Sequence, residues 1–263
     1  MTRTIAIAMQ KGGVGKTTTT INLAAALTKM VQLVLAVYLD AQSNLTQHAG
    51  FDPEQLSPTI YDPLKAEVDG FEGDAGDAIY ETDEKFHLLP SQPELSLVEV
   101  ALINTLSREQ VLSNILDNVR PHYDFVLIDC SPSLGLLVIN ALTAADSVII
   151  PVQTDYLAAR GAFMILSSIE TVKRKKLNPR LEVEGILLTM ADTRTLLAQD
   201  IQREVNAQYG NGIQIFEPVI RRSVRFGESA AAGQSILAYD PKSPGAKAYL
   251  EVAKSILEDS NHG

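Results

Sequence analysis

The sequence predicts an α/β protein, a mostly parallel, doubly wound sheet with helices on both faces. Three observations carry that expectation. Short β-branched-rich runs recur along the chain and are too continuously apolar for a sheet with one wet face. Stretches with helical spacing separate most of them, and these are long enough to serve as crossovers between parallel strands. The first run leads through glycines directly into a helical pattern, as a strand–turn–helix unit does.

The elements follow in order. "TIAIAM" (4–9) is the first strand, and "TTTTINLAAALTKM" (17–30) the helix after the glycines. "LVLAVYLD" (33–40) is the second strand. Residues 52–84 have weak periodicity and several Gly and Pro residues, which predicts short helices and loops. "FHLLPS" (86–91) adds a strand and 93–118 a long helix. "DFVLIDC" (124–130), "DSVIIPVQ" (146–153) and "EVEGILLTM" (182–190) are further strands. Helices are expected at 134–145, 156–176, 195–208 and 244–258. No repeat or low-complexity tract interrupts this pattern, so residues 1–263 read as one domain, a length able to bury a substantial core.

Composition excludes several classes. No run of about 18 apolar residues offers a membrane span, and the few residues before the first strand are too short for a signal peptide. The single Cys130 excludes an internal disulfide framework and suits a reducing cytoplasm. One cysteine and four scattered histidines argue against a zinc or iron–sulfur site. The net charge of −10 taken alone argues against nucleic acid, but its distribution reverses that reading. Residues 52–84 alone carry 11 acids and one lysine, whereas 160–225 hold 11 basic residues against 7 acidic ones. One face can attract a polyanion while another repels it.

The stretch "QKGGVGKT" (10–17) is a phosphate-binding loop in the making. Glycines between a buried strand and a helix point backbone N–H groups at an anion, and the helix dipole reinforces them. Gly12, Gly13, Val14, Gly15, Lys16, Thr17 and Thr18 would cradle the phosphates of ATP or ADP. Lys16 would reach the β- and γ-phosphates, and the Thr17 hydroxyl would coordinate Mg²⁺. The general pattern needs glycine at position 10, where this chain has Gln10. It also carries a second lysine, Lys11, that such a loop does not need. Asp129 ends the apolar run "FVLID", where a carboxylate would meet the Mg²⁺ shell.

These residues resemble the deviant Walker A motif of the ParA/MinD family of P-loop ATPases. "LDAQSN" (39–44) is similar to that family's first switch, and "VLIDCSPSLGLLVINAL" to its Walker B strand and following helix. "IPVQTDYLAARG", "GILLTMADTRT", "VIRRSVRFGES" and "SILAYDPKSPGAKAYLEVAK" fall in the family's order, so the likeness covers nearly the whole chain. It is strongest toward the Soj/ParA partition branch and weakest across 52–84. The resemblance implies that Lys11 crosses an ATP-dependent homodimer interface to the other subunit's phosphates, as an arginine finger does. It implies that Asp40 orients the attacking water, that turnover is slow, and that Met190 and Ser223 lie near the base.

The same resemblance implies that the ATP-bound dimer binds double-stranded DNA without sequence preference and that a ParB-type partner stimulates hydrolysis. Such a protein is cytoplasmic, on the nucleoid when ATP-bound. Arg194, Arg222 and Arg225 fall where relatives use arginines on DNA, and "VKRKKLNPR" adds Lys173, Arg174, Lys175, Lys176 and Arg180. A solvated helix end is the plain alternative for that run. Three positions depart from the family: Ala41, Ser131 and Arg221 stand where prolines are usual. A MinD-like membrane regulator would need a basic amphipathic C-terminal helix, and "AKSILEDSNHG" ends acidic and polar. A metabolic ligase of this fold would leave the arginines unexplained. A ParA-like ATPase positioning another cargo, such as a microcompartment or chemosensory cluster, would use the same chemistry.

Overall fold

The computed structural model describes residues 2–42, 44–133, 135–155, 158–192 and 195–260. In chain order the elements are β1 (Arg3–Ile7), α1 (Lys16–Lys29), β2 (Val34–Leu39), α2 (Asn44–His48), α3 (Tyr61–Val68), β3 (Tyr80–Glu81) and β4 (His87–Leu89). They continue with α4 (Leu95–Ala101), α5 (Val111–Asp117), β5 (Phe125–Cys130), α6 (Leu136–Ala144), β6 (Ser147–Gln153), α7 (Ala158–Arg174) and β7 (Glu182–Thr189). The last four are α8 (Leu196–Tyr209), α9 (Arg225–Ala231), α10 (Ile236–Tyr239) and α11 (Pro244–Ser260).

The strands form one sheet in the order β3-β4-β2-β5-β1-β6-β7. All pairings are parallel except that of β3 with β4. β1 lies between β5 and β6, with Ile5 opposite Leu127 on one side and Ser147 on the other. β2 and β5 are buried along their whole length. That is why their sequences are unbroken apolar runs rather than alternating ones. One apolar layer lies under α3, α5, α6, α7 and α8, and a second under α1 and α11. The fold class expected from sequence is therefore the one observed.

Because the strands are parallel, the loop after β1, Asp40 after β2, Asp129 near the end of β5 and Met190 after β7 share one pole of the sheet. Open α/β sheets bind ligands at that pole, outside the carboxyl ends of their strands.

One expectation needs correction. Residues 93–118 are not a single helix: α4 passes into a 3₁₀ turn at Leu102–Asn104, and helix resumes only at Val111. Ser107 in the break adopts φ 50. Buried Asn140 of α6 holds both sides of it, donating to the Arg108 carbonyl at 2.7 Å and accepting from the Leu112 N–H at 3.0 Å. A tertiary side chain thus satisfies backbone groups that a continuous helix would have paired. The edge strand β3, absent from the sequence expectation, is two residues long and pairs antiparallel.

A seam on the other layer also bears on the site. The turn after α2 meets the turn after α9 glycine to glycine: a Cβ on Gly233 would lie 2.7 Å from the Gly50 Cα. Both residues have positive φ (87 at Gly50, 66 at Gly233), so only glycine fits either place without strain.

Candidate nucleotide site

The loop after β1 is an open cradle. Gly13 (φ 70) and Gly15 (φ 88) take left-handed conformations that give the turn its shape. A Cβ on Gly12 or Gly13 would meet nothing within 4 Å, so the space above the loop is free for a ligand. Gly15 opens α1, and its carbonyl already accepts the Thr19 N–H at 2.8 Å. The loop tip is tied to the end of β7, where the Thr189 hydroxyl donates to the Val14 carbonyl at 2.8 Å. Val14 is itself buried and anchors the turn.

Lys16 leaves the first turn of α1, and its Nζ donates to the Lys11 carbonyl at 3.0 Å. Its burial lowers the ammonium pKa, and the Asp129 and Asp40 carboxyls oppose that shift. An amine already stripped of water beside an anion nest is suited to a phosphate. The Thr17 hydroxyl donates to Asp129 Oδ2 at 2.8 Å, while Asp129 Oδ1 is buried without a hydrogen-bond partner. Burial pushes the Asp129 carboxyl up to about 7, against the Thr17 hydrogen bond and the Lys16 charge. The orphaned oxygen beside a threonine hydroxyl fits a Mg²⁺ that takes few protein ligands and fills its shell with phosphate and water. No larger cluster of metal-ligating side chains occurs among the described residues.

Lys16 and Thr17 line a cavity of about 590 Å³ with Gly12, Gly13, Gly15, Thr18, Asp40 and Met190, and the buried Asp129 lies behind Thr17. Asp40 accepts the Gln42 N–H at 3.1 Å, and Ala41 packs against the apolar layer. That turn holds the segment in place of the missing proline. Sequence reasoning missed Gln42, Gln47 and His48, which line the same cavity. Only their nearness to Asp40 in the chain signalled them. A second cavity of about 270 Å³ adjoins it, lined by Met190, Ser223, Arg221, Arg222, Phe226 and Tyr249 among others. The expected base contacts Met190 and Ser223 do meet there. The aromatic pair Phe226 and Tyr249, with ring centroids 6.1 Å apart, was not foreseen.

His48 is 6% exposed, and its Nε2 has no partner. Burial lowers its pKa to about 4, although an N–H donated to the Gln234 carbonyl pulls the other way. The fold holds this imidazole neutral, whereas the unfolded chain protonates below about 6.5. Its contribution is complete above that value and is lost as pH falls toward 4. The loss is about 3 kcal/mol between pH 6.5 and about 4. Urea unfolding at pH 7.5, 6 and 5 checks this: a His48→Asn protein should lose less stability on acidification than the wild type, and equal losses would refute it.

Lys11 points elsewhere. Its ammonium pairs with Asp155, in the loop between β6 and α7, and both side chains are about one-third exposed (33% and 32%). Asp155 was not singled out from sequence.

The proposed DNA-contacting residues do not form one surface. Arg222 is exposed beside the second cavity, and Arg225 opens α9, bound to Glu228 at 2.9 Å and facing Asp240 at 3.7 Å. Lys173 and Arg174 end α7, with Lys175 and Lys176 just beyond, so they lie at the opposite pole, where β7 begins. Arg194 lies outside the described residues.

The profile of the AAA domain family matches residues 2–183. The sporulation initiation inhibitor protein Soj of Bacillus subtilis is 43% identical over 257 residues, covering 97% of this chain and 98% of that protein. The chromosome partitioning protein ParA of Caulobacter vibrioides is 40% identical over 258 residues, covering 97% and 94%. Among solved structures, cobyrinic acid a,c-diamide synthase from Mycobacterium smegmatis, with bound ADP and magnesium, superposes with TM-score 0.85. It is 37% identical, with 99% of this chain and 96% of that one covered. The septum site-determining protein MinD of Pyrococcus horikoshii, complexed with Mg-ADP, gives TM-score 0.76 at 26% identity, covering 99% and 98%. The loop geometry, the Thr17–Asp129 pair and these likenesses agree, and the chain belongs to the ParA/MinD family of P-loop ATPases, near its Soj and ParA members.

Proposed function

We propose that this chain is a nucleotide-switched partition ATPase that binds ATP with Mg²⁺, dimerises, holds double-stranded DNA without sequence preference, and releases it on hydrolysis. The observation that carries the reading is the pair of lysines. Lys16 stays on its own loop, while Lys11 is held outside the cradle by Asp155 and is free of duty toward its own phosphates.

In this reading the backbone N–H groups from Gly12 to Thr18 hold the phosphates, and Lys16 offsets their charge. Thr17 and Asp129 hold the metal, which when bound screens the phosphate oxygens. Asp40, fixed by its turn with Gln42, orients the attacking water. Lys11 of one subunit completes the site of the other, a cation supplied in trans where charge develops.

Two subunits bring two copies of Arg222 and Arg225 together, and bivalency raises affinity for DNA without new contacts. Arg194 would join them, whereas the Lys173–Lys176 run, at the opposite pole, would have to meet a separate stretch of DNA. A ParB-type partner stimulates turnover, and the protein resides in the cytoplasm, on the nucleoid when ATP-bound. No helix among the described residues is long and apolar enough to cross a membrane.

DNA binding measured with ATP, with ADP and without nucleotide, across a salt series, tests the switch. Affinity should appear only with ATP and fall with salt at a log–log slope of about −0.9 per phosphate contacted. Equal binding in all three states would break the reading.

A further inference from the structure

Unpaired cations gather at both ends of the edge strand β7. Beyond its end, Arg221 pairs by backbone with Ala191, and the side chains of Arg221 and Arg222 are exposed. Before its start, Arg174, Lys175, Lys176 and Arg180 are exposed at the end of α7 and in the turn that follows, with Lys173 half-buried beside them. Elsewhere on the surface Lys65, Lys85, Arg203 and Lys254 each pair with a carboxylate three or four residues away. The five cations of 173–180 form no ion pair among the described residues, although Glu170 stands one helical turn before Arg174. Like charges held together without partners repel, and an anion that enters relieves them.

The backbone that carries them is fixed. The Lys176 N–H donates to the Lys173 carbonyl at 2.9 Å and the Leu177 N–H to the Val172 carbonyl at 3.1 Å, closing the helix. Asn178 then donates to the Leu142 and Ala145 carbonyls at 3.1 and 2.6 Å, and Leu181 is buried. A ligand that binds here orders side chains and not the chain. The two groups of cations are separated by the eight residues of β7, roughly 25 Å. Exposed Glu182 and Glu217 lie between them, the second just after a segment that pairs with Ile186 along the outer edge of β7. A single duplex laid along that edge would set its phosphates against both carboxylates.

We infer that the 173–180 turn is a second duplex-binding site, so that the ATP-bound dimer holds two segments of DNA at once and draws them together. Chemistry selects a nucleic acid over a lipid surface. A membrane site sets exposed apolar side chains beside its cations. Here Leu177 packs against the apolar layer and Leu181 is buried. The exposed Phe163 and Met164 of α7 lie toward its other end, about three turns from Arg174. Few charges act at the turn, so alone it holds DNA weakly at physiological salt. A dimer anchored at its other pole presents the turn to neighbouring segments of the same molecule at high local concentration. The inference rests on the DNA switch proposed above for that anchor.

The test separates anchoring from bridging. A labelled duplex, too short to reach two sites, reads anchoring by anisotropy. A long duplex tethered to glass at one end and to a bead at the other reads bridging, as a reduced excursion of the bead. With ATP and Mg²⁺ the wild type should bind the short duplex and shorten the tether, and with ADP it should do neither. An Arg174→Gln/Lys175→Gln/Arg180→Gln protein should need at least ten-fold higher concentration to shorten the tether equally. Its loss on the short duplex should stay under three-fold, with ATP-dependent dimerisation unchanged in sedimentation. A wild type that saturates the tether without shortening it overturns the inference, and so does equal shortening by the variant. Parallel losses on both duplexes also overturn it, by making the turn part of the anchor. Should the triple variant misfold, the single charge reversal Lys175→Glu repeats the comparison. Failure of the switch reading shows separately, as short-duplex binding that does not depend on ATP.

Discussion

Lys11→Ala binds ATP and ADP as the wild type does but no longer dimerises with ATP, and its turnover falls by roughly 10³-fold, the lower end of what a cation supplied in trans contributes. The expectation follows from where the side chain is. Lys11 pairs with Asp155 and gives only its backbone carbonyl to the phosphate loop, as the acceptor for Lys16. Truncating the side chain leaves that carbonyl in place and keeps the cradle. Sedimentation with ATP, nucleotide titration and phosphate release separate the steps. Normal dimerisation and turnover would end the role assigned to Lys11. Asp40→Ala supplies the contrast in the same assays: it should dimerise with ATP and fail to turn over, because among the described residues its carboxylate bonds its own turn and not the loop. Normal turnover by that protein would remove Asp40 from the chemistry.

The second large effect is at Asp129. Its Oδ2 holds the Thr17 hydroxyl, and its Oδ1 makes no close hydrogen bond among the described residues, although the Thr20 hydroxyl is near enough to favour the charged carboxyl. A buried carboxylate oxygen left bare costs stability unless something binds it. Asp129→Ala should therefore remove the dependence of nucleotide affinity on Mg²⁺ and lower turnover by about 100-fold, the upper end of losses seen when a metal's supporting groups are removed. Nucleotide titration with Mg²⁺ and with a chelator reads the first effect. If the variant still binds nucleotide more tightly with Mg²⁺ than without, Asp129 is not the metal's carboxylate. Thr17→Ala should show a smaller loss of the same kind, since Asp129 remains.

Much of this was legible in the chain. The phosphate loop, the strand ends that carry Asp40 and Asp129, and the parallel sheet follow from local signals: glycines, apolar runs and their punctuation. What the sequence hid depends on contacts distant in the chain. The break between α4 and α5 is set by Asn140, about 30 residues on, so periodicity over 93–118 could not show it. Asp155 is 144 positions from Lys11, and no spacing rule joins them. Phe226 and Tyr249 reach the second cavity from two segments that meet only when α9 and α11 pack. The division of the basic residues between two poles is a consequence of strand direction. Read along the chain, Lys173 and Arg222 look like one cationic region; in the fold, the length of β7 separates them.

The glycine-to-glycine seam between the turns after α2 and α9 has a mechanical meaning. Ordinary packing leaves side chains between two segments, and side chains yield by changing rotamer. Here two backbones touch with nothing soft between them. One partner follows directly on the segment with Asp40, and the other ends the helix that begins with Arg225. A shift of the first is therefore handed to the second instead of being absorbed. The seam is thus a rigid contact between the phosphate end of the site and the helix that begins with Arg225.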